Sequence, residues 1–105
     1  MVDSKISNLL GLAMRAGNIV SGEETCKKEL KKSLYLVIVA EDASNNTKKV
    51  FSDKCSYYNV PLKFMGTKDA LGHCIGKTSR ATIGIKDKKL ATVLLNCMNH
   101  IDICP

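Results

Sequence analysis

The run Leu34-Tyr-Leu-Val-Ile-Val-Ala40 constrains the fold more than any other stretch of the chain. It is apolar without interruption and rich in β-branched residues, the pattern of a strand covered on both faces. Such a strand needs helices on each side of its sheet. The run is far too short to cross a bilayer. A polar turn, Glu41-Asp-Ala-Ser-Asn-Asn46, follows it at the carboxyl end.

The flanking sequence supplies those helices. Asp3 or Ser4 caps a first helix whose stripe is Ile6, Leu9, Leu10, Ala13 and Met14, and Gly17 closes it with Arg15 in the last turn. An extended piece over residues 18–21 leads into a helix over 22–32. Only Thr25, Cys26 and Leu30 give that helix an apolar side, so it lies on the outside. Asn45 or Asn46 caps a third helix, over 46–58, with Val50, Phe51, Cys55 and Tyr58 inward. Residues 60–65 read as a strand that Pro61 confines to an edge or a first position. Thr67 caps a short helix over 68–74, which Gly72 weakens and Gly76 ends. Residues 81–85 form a last strand. Asp87 caps a final helix running to about residue 99, with Leu90, Val93, Leu94 and Cys97 buried, and 99–105 is a loose tail. Gly11, inside the first helix, costs about 1 kcal/mol against alanine; a close crossing would explain it, and so would a position with no role. This alternation predicts an α/β fold: one domain over residues 1–105, a three-layer α/β/α sandwich with a small mixed four-stranded sheet.

Chemistry-bearing motifs are missing. The chain has no GxSxG elbow, no Walker phosphate loop and no GxGxxG. Five cysteines are scattered without a CxxC, and the two histidines lie far apart, so neither a metal nor a cofactor is expected. Cys26, Cys55, Cys74 and Cys97 read as small buried hydrophobes, and Cys104 as an exposed thiol in the tail. His73 and Cys74 are neighbours on a helix and point about 100° apart, which suits no nucleophile pair. Glu41-Asp42 has turn and capping work to do and no third group beside it. The expectation is a protein that is not an enzyme. With no secretory signal pattern, it is expected in the cytoplasm, and with no strong apolar stripe left over, as a monomer.

Charge points to a partner. Lys and Arg number 16 against 10 Asp and Glu, a formal net charge of +6, which favours nucleic acid first and an anionic membrane second. Two corners could receive it. One is Ser21-Gly-Glu-Glu-Thr-Cys-Lys27, where Ser21 stands three residues before Glu24 at the capping-box spacing and Lys27, Lys28, Lys31 and Lys32 follow. The other is Gly76-Lys77-Thr78-Ser79-Arg80. Brought to one end of the sandwich, they would clamp folded RNA: helix N–H groups hold phosphate, Glu and Thr read base edges, Lys and Arg neutralise the backbone. Aromatics are 5% of residues, with no tryptophan, which argues for shape recognition over stacking on single strands. The competing reading is a protein–protein interaction module whose basic face is merely solvated.

The order of several stretches resembles a known family. They are Gly11-Leu-Ala-Met-Arg-Ala-Gly17, Val20-Ser-Gly-Glu-Glu-Thr25, Leu36-Val-Ile-Val-Ala-Glu-Asp-Ala-Ser44, Asn59-Val-Pro-Leu62, Gly66-Thr-Lys-Asp-Ala-Leu-Gly72 and Ile75-Gly-Lys77, with Arg80 and the last strand. Together they resemble the kink-turn RNA-binding ribosomal proteins of the archaeal and eukaryotic large subunit, and among them the small bacterial YlxQ-like members. The resemblance implies an α/β/α sandwich that binds structured RNA in or near the ribosome, with ribosomal RNA, the ribosome or its assembly intermediates as partners. In that family a Gly-x-Asn-Glu-Thr-x-Lys run opens the second helix and meets the tandem G·A pairs of the kink-turn. On this chain Ser21 holds the first glycine position and Gly22 the next. Glu23 replaces the asparagine, Glu24 and Thr25 match, Cys26 is variable and Lys27 is the lysine. The family's second RNA-contacting loop falls on residues 76–81. Glutamate at position 23 is the departure that matters, because an ionised carboxylate only accepts hydrogen bonds.

Overall fold

The computed structural model describes residues 4–103, with side chains through Met98. Helices and strands alternate throughout: α1 (Ser4–Arg15), β1 (Ile19–Ser21), α2 (Glu23–Leu30), β2 (Leu36–Val39), α3 (Asn45–Tyr58), β3 (Leu62–Phe64), α4 (Lys68–Cys74), β4 (Thr82–Ile85) and α5 (Lys88–Ile103). The strands form one sheet in the order β1-β4-β2-β3. β4 runs antiparallel to both neighbours, pairing Ser21 with Ile83 and Val39 with Thr82, whereas β2 and β3 are parallel, pairing Val37 with Leu62. α2 packs on α3, and α1 packs on α4 and α5, giving helical layers on the two sides of a mixed four-stranded sheet. This is the expected α/β/α sandwich.

β2 is the buried spine. Leu36, Val37, Ile38, Val39 and Ala40 are all fully buried, as an uninterrupted apolar run between two helical layers requires. Ile6, Leu10 and Ala13 form the inward stripe of α1, and Phe51 and Cys55 that of α3. Pro61 precedes β3, which lies at the sheet edge; there its missing N–H disturbs no ladder, while its carbonyl accepts from Val37 N at 3.0 Å.

Four expectations are corrected. α3 is capped by Ser44, whose hydroxyl accepts from Thr47 N at 3.1 Å, in place of Asn45 or Asn46. In α5 the buried positions are Ala91, Leu94 and Met98, while Val93 is 43% exposed. That helix is apolar at Leu90, Ala91, Val93, Leu94, Leu95, Cys97 and Met98, so spacing alone leaves its rotation open, and the sheet selects one face. α5 also continues to Ile103, since neither glycine nor proline interrupts it before Pro105. Cys104 lies outside the described residues, and Cys74 and Cys97 are only half-buried.

Because β1, β2 and β3 point one way and β4 the other, one edge collects the ends of the first three and the start of the fourth. α2, α3 and α4 all open at that edge. The 76–80 loop returns to it as it enters β4.

Candidate nucleic-acid interface

The two sequence corners meet at this edge. Ser21, the last residue of β1, accepts from Arg80 Nε at 3.3 Å through its hydroxyl. Next to it, Gly22 N donates to the Thr82 carbonyl at 3.0 Å, so the strand pair runs straight into the start of α2. The capping box does not form. Gly22, at φ 94°, is the N-cap residue, and no side chain caps the helix. Ser21 is held in the sheet instead, a long-range pairing that local spacing does not register. Position 22 needs glycine for its φ and not for room, since a Cβ there would touch nothing within 4 Å.

The opening N–H groups of α2 are thus uncapped, but their flank is acidic. Glu23 and Glu24 occupy the first turn, and Lys27 lies 3.8 Å from Glu23 Oε2 and 3.5 Å from Glu24 Oε1. Exposed pairs of this kind add little stability; they set local charge. Thr25, Glu24 and Lys28 face solvent. Lys31 closes α2 at its other end, roughly 12 Å of helix from Glu23. The structure therefore does not bring Lys31 to the corner, because it lies more than two turns down the axis.

Backbone contacts hold the second corner. Gly76, at φ 71°, turns the chain after α4, Lys77 N donates to the Gly72 carbonyl at 2.8 Å, and Arg80 N reaches the Lys68 carbonyl at 3.0 Å. The loop thus folds back along α4. Gly72 permits this: a Cβ there would lie 1.5 Å from the Thr78 carbonyl oxygen. Its part is close approach, and the expected weakening of α4 is secondary. Arg80 Nη1 donates to Thr78 Oγ1 at 3.2 Å and to the Ser79 carbonyl at 2.8 Å, so the guanidinium ties the loop to itself and to β1. Lys77, Thr78 and Ser79 are exposed. Beneath the edge, the Thr82 hydroxyl is buried without a hydrogen-bond partner among the described residues.

Sequence reasoning missed the part played by α3. Thr47 Oγ1 donates to Glu23 Oε1 at 2.9 Å, and Ser44 Oγ donates to Thr47 Oγ1 at 2.9 Å. The sequence reading placed this helix start at Asn45 or Asn46, and nothing local marks the reach of Thr47 to α2. Asp42 does cap, as expected: its Oδ1 accepts from Lys68 N at 2.8 Å at the opening of α4. Cys74 Sγ donates to Ser7 Oγ at 3.3 Å, and His73 is exposed beside it. Among the described residues, no three of His, Cys, Asp and Glu gather to hold a metal ion, and no helix is long and apolar enough to cross a membrane. Burial pushes the Cys26 thiol up to about 12, with Cys55 and Glu29 adding to it, and pushes Cys55 up to about 11.

An α/β/α sandwich whose polar corners close on one sheet edge is the class of molecule defined so far. The chain belongs to the ribosomal protein L7Ae/L30e/S12e/Gadd45 family, whose profile matches residues 4–95. It is similar to the RNA-binding protein YlxQ of Bacillus subtilis (strain 168), with 42% identity over 92 residues, 87% of this chain and 92% of that protein. The RNA-binding protein YlxQ of Enterococcus faecium is 43% identical over 88 residues, 83% of this chain and 84% of that one. Among solved structures, a Bacillus halodurans protein of unknown function superposes with a TM-score of 0.89 at 39% identity, covering 92% of this chain and 99% of that one. The Giardia lamblia 15.5kD RNA binding protein gives a TM-score of 0.76 at 21% identity, over 98% of this chain and 92% of that one, and shows the shared fold.

Proposed function

We propose that the chain binds structured RNA of the kink-turn kind, without chemical turnover, at the edge where α2 opens beside the 76–80 loop. The observation that carries this reading is the Arg80–Ser21 hydrogen bond, which joins two polar corners 59 residues apart in sequence. The net charge of +6 and the RNA-binding names of the relatives support it. In this reading Ser21, Gly22, Glu23, Glu24 and Thr25 face base edges and sugar. Lys27, Lys28 and Arg80 neutralise the adjoining backbone, with Thr78 and Ser79 alongside. Lys31 and Lys77, farther out, meet flanking phosphates. The RNA is ribosomal, the partner is the ribosome or its assembly intermediates, and the protein acts in the cytoplasm as a monomer.

Binding to a kink-turn RNA and to a matched straight duplex, each across a salt series, tests this. The kink-turn is expected to bind more tightly at every salt concentration. Lys27→Ala and Arg80→Ala should each weaken binding and lower the salt slope by roughly one. Affinity no better than that of an equally basic inert protein overturns the reading. Co-purification with a protein partner after nuclease treatment would point to the interaction module instead.

A further inference from the structure

The net charge of +6 is not gathered at the edge where α2 opens. The segments that build that edge, 21–27, 40–49, 64–69 and 76–80, carry five carboxylates against six Lys and Arg. Most of the excess lies at the other end of the strands, where β1, β2 and β3 begin and β4 ends. Main-chain bonds join these segments into one second edge. Lys86 N donates to the Asn18 carbonyl at 2.8 Å, Tyr35 N to the Ile85 carbonyl at 2.9 Å, and Val37 N to the Pro61 carbonyl at 3.0 Å. Segments 15–18, 31–35, 57–62 and 85–89 hold six Lys and Arg and one acid, Asp87. That carboxylate is engaged by Leu90 N at 3.2 Å, and Glu29, in the last turn of α2, takes up Lys86 at 3.7 Å. Arg15, Lys32, Lys88 and Lys89 are exposed and make no ion pair among the described residues.

Helix stability accounts for Arg15 and Lys32, which stand at helix C-terminal ends, but not for the other pair. Lys88 and Lys89 occupy the first turn of α5, which has no acidic residue, at the end where the macrodipole disfavours positive charge. A bound polyanion offsets that cost. The exposed large hydrophobic residues of these segments are Tyr35 and Tyr57, both tipped with a hydroxyl, so no large aliphatic side chain is offered to a bilayer. The molecule measures 29 × 28 × 26 Å, and RNA seated on the first edge leaves this one facing away from it. A second stretch of the same RNA would meet it at high effective concentration. We infer that this edge is a second RNA surface. It holds the phosphate backbone of a helix irrespective of sequence, and one molecule thereby ties a kink-turn to another RNA helix. The inference goes beyond the kink-turn reading, and Arg15, Lys32, Lys88 and Lys89 have no part in that reading.

The test titrates a labelled straight RNA duplex into the full chain carrying one equivalent of a differently labelled kink-turn RNA. Wild type should take up the duplex without releasing the kink-turn. The variant Arg15→Gln/Lys32→Gln/Lys88→Gln/Lys89→Gln should bind the duplex at least about tenfold more weakly, with a salt slope lower by roughly three, and keep its kink-turn affinity. Lys88→Gln/Lys89→Gln removes charge from the unfavourable helix end alone, so it should lose part of the duplex binding with no fall in Tm, which a folding defect would not imitate. Equal duplex binding by wild type and the larger variant overturns the inference, as does displacement of the kink-turn by the duplex. Tighter binding to vesicles of phosphatidylserine and phosphatidylcholine, or to polyglutamate, than to the duplex overturns it too, in favour of a membrane or an acidic protein. A wild-type chain with no preference for the kink-turn over the duplex overturns the earlier reading alone; the loss of duplex binding in the variants, read on the free chain, still decides this one.

Discussion

The two corners of the edge are held by different means. Backbone holds most of the 76–80 loop: three main-chain hydrogen bonds, from Gly76, Lys77 and Arg80, tie it to α4, and the Thr78 carbonyl sits where a side chain on residue 72 would be. The start of α2 has one backbone bond, Gly22 N on the Thr82 carbonyl, and beyond it side chains: Thr47 on Glu23, Lys27 between two carboxylates, Arg80 on Ser21. One corner is therefore part of the fold, and the other is fitted onto it. A change in the first should cost stability. A change in the second should cost recognition and leave the fold standing.

Gly72→Ala is the hardest blow to this contrast. The added methyl meets backbone, not the flexible end of a side chain, so the loop has to leave α4. A loss of about 3 kcal/mol is expected in urea denaturation, the upper part of the range for overpacking. RNA binding should fall with it, because a displaced loop carries Arg80 away from Ser21. Ser21→Ala in the other corner removes a single hydrogen bond to an arginine and should cost no more than about 1–2 kcal/mol. If both variants lose the same stability, the two corners are held alike and the distinction fails.

Alkaline pH probes the corner at the start of α2 from beneath. Cys26 lies under the start of α2 and is fully buried, with its thiol pushed up to about 12 from an ordinary 9.0. Below pH 9 both folded and unfolded chains keep the proton, and stability is unaffected. Above pH 9 the unfolded chain releases it while the folded chain holds it, so stability falls as pH rises toward 12. The linkage amounts to about 2 kcal/mol near pH 10.5. Cys26→Ala lowers stability at neutral pH through lost packing, but its stability should fall less steeply above pH 9. The slope of unfolding free energy against pH, compared between the two proteins, decides it; parallel slopes would show that the thiol does not couple to folding.

What was legible in the sequence was what acts over three or four positions. The Thr67 and Asp87 caps form as expected, with Ala70 N on Thr67 Oγ1 at 3.1 Å and Leu90 N on Asp87 Oδ2 at 3.2 Å. Gly17 closes α1 at φ 75°, and the apolar run of β2 is fully covered. What was not legible depends on partners far along the chain. Ser21 has the right spacing from Glu24 to cap α2, yet β4 claims it. Thr47 looks like an ordinary first-turn residue until α2 lies beside it. Gly72 reads as a weak point in a helix because the carbonyl that requires it belongs to a loop that doubles back. The site edge itself was inferred from charge and small residues, and the strand directions bring its two halves together.

Gly11 gives the smallest effect and the sharpest control for Gly72. Both are glycines inside helices, and propensity alone assigns them the same cost. A Cβ on Gly11 would lie 3.6 Å from the Cys74 carbonyl oxygen, an ordinary contact across the α1–α4 crossing. Nothing has to move, so Gly11→Ala should recover helix propensity and stabilise the protein by about 0.5–1 kcal/mol. For a chain of this size that is a rise of a few degrees in Tm, on the order of 4–8 °C per kcal/mol. Kink-turn affinity should not change, since α1 ends at the opposite edge of the sheet from the two corners. A destabilised Gly11→Ala would mean that the crossing is as tight as the loop contact at Gly72, and that close backbone approach is a general feature of α4 and not the mark of one corner.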